Sequence, residues 1–309
     1  MAIYKFQNGK TSDLREADFQ NEKELHVFIE NNLDELLGLK MISSEYQIEG
    51  YFIDTLAYDS SVNSFVVIEY KRDRSFSVFD QGMHYLSLLL NNKAQFVLDF
   101  NNKNKKNNKI EDFDWSQSKV IFISRSFTSY QKGAINFKDL PIELWEIIKY
   151  EGDLIDLHQV ESSKKAESIN KFIKDSNLTS VTKELKTYSV EDHFKPGWTN
   201  SKEIYEVLRE KLLNIDNRLI EDPKKYFIGF KLGRLNVFST EIYMSYVQLS
   251  LPRTKPQDIK DPEKRLVLRK NSMKFYGQEI SDFKIYDVKD IDYAAFLAKQ
   301  VYENFIKNH

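Results

Sequence analysis

Two short segments place acidic side chains among apolar ones: Ile53-Asp54-Thr55-Leu56-Ala57-Tyr58 and Phe65-Val66-Val67-Ile68-Glu69-Tyr70-Lys71. Both have the brief, β-branched and aromatic makeup of buried strands, where an unpaired carboxylate is costly. Polar Asp59-Ser60-Ser61 and Asn63-Ser64 between them predict a hairpin about Ser61-Val62, which sets Asp54 opposite Glu69 on one face of a sheet. Lys71 shares that face, because side-chain direction alternates along a strand. Two facing carboxylates repel unless a cation lies between them. Such an oxygen-rich site suits Mg²⁺ or Mn²⁺, with the Tyr70 carbonyl as a third protein ligand and waters completing the shell. A metal held there lowers the pKa of bound water and neutralises a phosphodiester, while the Lys71 ammonium orients the water or stabilises the developing charge. The chemistry that fits is phosphodiester hydrolysis; the bland alternative is a pair of salt-bridged strands with the same residues. If both acids are ligands, removing either should leave stability similar or higher, because repulsion in the metal-free site is relieved.

The elements that must hold these groups can be read on either side. Leu25, Phe28, Ile29, Leu33, Leu36 and Leu37 form a helical stripe over residues 22–37, which Gly38 closes as a C-cap. A short strand around Glu45-Tyr46-Gln47-Ile48 precedes the hairpin, and Asp80 is positioned to cap a helix running to about Asn91. Residues 95–100 and 119–124 read as buried strands, separated by the polar run Asn101 to Lys109, a solvated loop. Pro141 to Tyr150 has a helix or strand pattern, and Leu154, Ile155 and Leu157 suit an edge strand. The expected class is α/β (α+β), with the order α-β-β-β-α-β.

Residues 161–199 have the mixed polar character of a linker with some helix. The expected division is therefore a first domain over 1–160, that linker, and a smaller α+β domain over 200–309. The latter opens with a helix through Ile204, Val207, Leu208 and Leu212. It continues with strands near 226–231, 235–240 and 243–251, and ends in a helix striped by Tyr293, Phe296, Leu297, Val301, Phe305 and Ile306.

Composition sets outer bounds. The 309 residues include no cysteine, which excludes disulfides, thiolate metal sites and a cysteine nucleophile and suits a reducing cytoplasm. Lys and Arg number 45 against 47 Asp and Glu, so net charge of −2 decides nothing about nucleic acid. No export signal is visible at the N-terminus, and no apolar run approaches the ~20 residues that span a bilayer. A soluble, cytoplasmic protein is expected.

The motifs Ile53-Asp54-Thr55-Leu56, Val67-Ile68-Glu69-Tyr70-Lys71 and Asp80-Gln81-Gly82-Met83-His84-Tyr85-Leu86, in their α-β-β-β-α-β setting, resemble the PD-(D/E)XK nuclease superfamily over residues 20–125. The likeness is to its bacterial and archaeal repair, restriction-like or defence members; Ile53 stands where the motif's proline would be. The resemblance implies a restriction-endonuclease-like core that cuts DNA with Mg²⁺ or Mn²⁺. It assigns the metal to Asp54 and Glu69, water activation to Lys71, and support of the site or nucleic-acid contact to Gln81 and Tyr85, which share one helix face. Many members also carry a glutamate on the first helix. Here Glu22 falls within the arc of Leu25, Ile29, Leu33 and Leu36, Glu30 lies at its margin and Glu24 points away, so Glu22 is the expected residue. Arg72 and Arg74 could neutralise flanking phosphates. His84 is given no role. The C-terminal half resembles a small domain of unknown function catalogued as a predicted transport protein. Its aromatics, including Trp198, Tyr226, Phe230, Tyr243 and Tyr246, suit core packing, a homodimer or partner surface, or base stacking. Alternatives to a nuclease are a non-catalytic nucleic-acid-binding module on the same fold and a subunit of a multi-protein system.

Overall fold

The leucine stripe forms helix, but in two pieces. In the computed structural model, which describes residues 3–71, 77–137, 139–161, 166–168 and 184–308, α1 spans Glu22–Asn31 and α2 spans Leu33–Leu37. Asn32 interrupts them, its amide donating to the Phe28 carbonyl at 2.7 Å, an alternative to helix continuation open to short polar side chains. Gly38 ends α2 at φ 65°, a left-handed conformation that lets its N–H turn back to the Asp34 carbonyl. Ahead of α1 lie the strands β1 (Tyr4–Gln7), β2 (Lys10–Asp13) and β3 (Glu16–Ala17).

Three strands follow as an antiparallel meander: β4 (Lys40–Ile48), β5 (Tyr51–Asp59) and β6 (Ser64–Lys71). Thr55 pairs with Ile68 and Leu56 with Val67, so the hairpin has the symmetric register expected about Ser61-Val62. α3 (Val78–Asn91) and α4 (Lys93–Asn104) then cross to β7 (Lys119–Ser124), which lies parallel to β6. After α5 (Ser129–Ala134), β8 (Ile142–Tyr150) runs parallel to β7, and β9 (Leu154–Gln159) pairs antiparallel with β8. The sheet order is β3-β8-β7-β6-β5-β4, with β9 on the outer side of β8. Because β3 pairs with the far end of β8, on the side β7 has left, it occupies the space beyond the carboxyl end of β7. α1 and α2 cover one face with Ala57, Val66, Ile68 and Ile121; α3 and α4 cover the other with Leu56, Phe65, Val67 and Val120. This is the restriction-endonuclease-like αβββαβ core. β6 is buried on both faces, which is why its apolar residues run without interruption.

Three local expectations are corrected. Residues 95–100 are helical within α4: Phe96, Val97 and Phe100 face the core while Leu98 is 52% exposed. A six-residue apolar run does not separate a strand from a buried helix face. The polar run after it is helical as far as Asn104, so only its remainder is loop. Ser77 rather than Asp80 caps α3, accepting from the Asp80 N–H at 3.2 Å while its hydroxyl donates to the Asp80 carboxylate at 2.5 Å. Gly82 lets α3 lie close to the sheet, since an added Cβ there would run into Ile142 Cδ1.

By compactness the chain divides into Met1–Asp59 with Asn63–Lys186 and Ser60–Val62 with Thr187–His309. The second unit has an antiparallel sheet whose strands follow chain order, except that the last two are exchanged. Its elements run α6 (Thr199–Leu213), β10 (Leu219–Pro223), β11 (Ile228–Leu232), β12 (Leu235–Ile242), β13 (Val247–Pro252), β14 (Val267–Leu268), α7 (Ser272–Tyr276), β15 (Ile280–Ile285) and α8 (Ile291–Asn308). α6 and α8 bury Ile204, Leu208, Leu297 and Val301 against Phe230, Phe238 and Phe283 of the sheet. No helix among the described residues is long and apolar enough to cross a membrane.

Candidate active site

The ends of β5 and β6, just past the last paired residues Thr55 and Ile68, bring the acids together. Asp54 Oδ2 accepts from the Tyr70 backbone N–H at 2.9 Å, tying the two strands across the point where the ladder stops. Within a strand the N–H and C=O of one residue point to the same side, so the Tyr70 carbonyl also lies on the edge that faces Asp54. Glu69 is 4% exposed and projects toward α3. Among the described residues its carboxylate takes three donors: Lys71 Nζ at 2.6 Å and Gln81 Nε2 at 2.9 Å on Oε1, and the Tyr85 hydroxyl at 2.8 Å on Oε2. Gln81 Nε2 also donates to the Tyr85 oxygen at 3.1 Å. The i,i+4 spacing on α3 therefore clamps one carboxylate with two side chains of the same helix. Asp54, Glu69, Lys71, Gln81 and Tyr85 form one constellation.

Its electrostatics follow from burial and like charge. Desolvation, then the negative field of Glu69, pushes the Asp54 carboxyl up to about 6, against smaller opposing effects of the Tyr70 N–H, Lys71 and His26. Burial and Glu69 together raise the Tyr85 hydroxyl well above its ordinary value, so it stays protonated and donates.

The donor set fits a hard divalent cation. Glu69 Oε1 is occupied twice and Oε2 once, which leaves one lone-pair direction on Oε2, and Asp54 Oδ1 has no hydrogen-bond partner among the described residues. Among those residues no three His, Cys, Asp or Glu side chains gather into a metal cluster. Two carboxylates and one carbonyl would suit an ion such as Mg²⁺, which keeps several of its waters.

The first helix contributes differently from what helical projection implies. Glu22 is exposed in the first turn of α1 and lines a cavity together with Lys71. The glutamate that reaches the strand pair is Glu30: its carboxylate accepts from Thr55 Oγ1 at 2.6 Å and lies 2.9 Å from His26 Nε2. Thr55 in turn meets the Tyr70 hydroxyl at 3.0 Å, and the His26 ring stacks on Tyr70 at 4.5 Å. These four residues lie on the α1 face, directly behind Asp54 and Glu69. The signal that could have found them is the polar pair His26 and Glu30, one helical turn apart on the flank of the leucine stripe. Glu24 is engaged by the Gln20 N–H at 2.5 Å and Lys149 at 3.4 Å. Arg72 and Arg74 lie outside the described residues. His84 packs edge-on against Tyr51 at 4.3 Å.

Fold and site together define an α+β protein with a restriction-endonuclease-like core and an Asp-Glu-Lys centre. The chain is 36% identical over 301 residues to an uncharacterized protein of Haemophilus influenzae, a match covering 97% of this chain and 99% of that one, and it belongs to the same family. No protein-family model matches the chain. Among solved structures it is similar to EndoMS in its complex with double-stranded DNA, at 20% identity and a TM-score of 0.25, over 44% of this chain and 51% of that one. It is also similar to a repair endonuclease of Pyrococcus abyssi, at 17% identity and a TM-score of 0.24, over 47% and 65%. Superpositions so loose add nothing to what the strand order says.

Proposed function

We propose that the first unit is a metal-dependent nuclease of the PD-(D/E)XK type that hydrolyses phosphodiester bonds in DNA, with Mg²⁺ or Mn²⁺ held by Asp54, Glu69 and the Tyr70 carbonyl. The observation that carries this reading is the convergence of Asp54, Glu69 and Lys71 at the open end of β5 and β6, with Glu69 fixed by Gln81 and Tyr85. The ion, when bound, supplies charge neutralisation and a more acidic water. Lys71, released from or shared with Glu69, directs the attacking water and meets the charge that develops on phosphate. Gln81 and Tyr85 hold the Glu69 carboxylate in one orientation. The second unit selects substrate or partner.

Purified protein should cleave duplex DNA, single-stranded DNA or RNA when Mg²⁺ or Mn²⁺ is present and stop when it is chelated. Asp54→Asn, Glu69→Gln and Lys71→Ala should each abolish turnover. Failure to cut any of the three substrates with either metal overturns the reading, and binding without cleavage would mark a non-catalytic module on the same fold.

A further inference from the structure

A cavity of about 220 Å³ lies at the carboxyl ends of β6, β7 and β8, roofed by the link from β3 into α1. In open sheets with parallel strands this is the edge at which ligands bind. Leu25, Ile147 and Phe19 make an apolar floor, the first two almost wholly buried. Three cations, Lys71, Arg125 and Lys149, outnumber the two carboxylates, Asp18 and Glu22, in the lining. Arg125 is held at the rim by Glu16 at 2.7 Å and by Asp18, and Lys149 sits over the Phe19 ring at 5.5 Å. Lys71, at the carboxyl end of β6, lines the cavity, and its Nζ donates to Glu69 of the acidic centre at 2.6 Å. Its volume falls below the roughly 300–1,000 Å³ of pockets for drug-sized ligands, which suits one planar heterocycle with its sugar rather than a stretch of duplex. We propose that the cavity is a subsite for a single unstacked nucleotide, with its base on Phe19, Leu25 and Ile147 and its phosphate toward Lys71 and Arg125. The inference rests on the phosphodiesterase reading and names the part of the substrate that reading leaves open.

The test is calorimetric titration of the full chain, in chelator so that nothing is hydrolysed, with dAMP, deoxyadenosine and inorganic phosphate in separate arms. Saturable dAMP binding is expected, at least tenfold tighter than either fragment, and weakened at least tenfold by Phe19→Ala and by Arg125→Gln, with thermal unfolding confirming that both variants fold. Phosphate binding as tightly as dAMP, dAMP binding untouched by both variants, or no saturable dAMP binding would overturn it. Because these arms need no turnover, a protein that binds dAMP but cuts nothing sinks the nuclease reading alone. One that cuts DNA without binding dAMP sinks the subsite alone.

Discussion

Replacing Asp54 with asparagine should stabilise the protein near neutral pH, and the gain should vanish in acid. Burial, followed by the facing Glu69, pushes the Asp54 carboxyl from 3.8 up to about 6. Between those values the folded chain keeps a proton that the unfolded chain has released, so stability falls as pH rises through the window and the full penalty is present above about 6. A shift of roughly two units corresponds to about 3 kcal/mol on complete ionisation, which water reaching the half-buried group reduces to ~1–3 kcal/mol. Asparagine keeps an oxygen to accept from the Tyr70 N–H, at 2.9 Å in the parent, and removes only the charge. Scanning calorimetry at about pH 7.5 should therefore show the first unit of Asp54→Asn unfolding roughly 2–4 °C higher per kcal/mol, with the gap closing toward pH 4. Mg²⁺ or Mn²⁺ should raise the parent's midpoint and leave the variant's nearly unmoved. A variant less stable than the parent at pH 7.5, or a gap constant over that range, refutes the repulsion.

Glu69 should behave in the opposite way. Glu69→Ala leaves Lys71, Gln81 and Tyr85 facing an empty site, and a loss of about 3–5 kcal/mol in chemical denaturation is expected, with Glu69→Gln intermediate; the donors gathered on Glu69 set this prediction apart from the one for Asp54. Tyr70→Phe removes the hydroxyl that meets Thr55 at 3.0 Å, and should cost about 0.5–1.5 kcal/mol by the same measurement, because Thr55 keeps Glu30. Gly82→Ala sets a Cβ against Ile142 Cδ1, so that side chain or α3 must shift, and should lower stability by roughly 1–3 kcal/mol. It should also reduce cleavage beyond that loss, since the same helix carries the Glu69 clamp. A fully active, fully stable Gly82→Ala would show that the close approach does not matter.

Hairpin register was legible because it is local: turn residues and strand periodicity suffice to set Asp54 against Glu69, and the parity of Lys71 follows. The helix bearing Gln81 and Tyr85 was legible by its apolar periodicity, although its cap shifted from Asp80 to Ser77. The segment 95–100 was not, because Phe96, Val97 and Phe100 satisfy either a short buried strand or one helix face, and only the packing against Tyr46 and Phe65 decides. Angular projection along α1 favours Glu22 over Glu30, because it says which direction a residue faces but not what it meets. Glu22 begins the helix at an exposed turn, whereas Glu30 comes level with Thr55.

Asp54-Thr55 and Glu69-Tyr70 are two adjacent dyads on neighbouring strands, and alternation splits each dyad between the faces of the sheet. The acids fall on the α3 side, where Gln81, Tyr85 and Lys71 meet Glu69. Thr55 and Tyr70 fall on the α1 side, where Glu30 and His26 close a second hydrogen-bonded group. Apolar residues would fill that second position as well, and a polar group there would be costly unless fully paired. With Thr55 and Tyr70 fully buried and joined to each other and to α1, the backbone at Asp54 and Glu69 is held from behind just where ladder pairing ends. The Tyr70 N–H bond to Asp54 crosses the same gap from the front. Two carboxylates that repel in the metal-free chain are thereby kept facing each other, because strand separation at that end would break both groups at once.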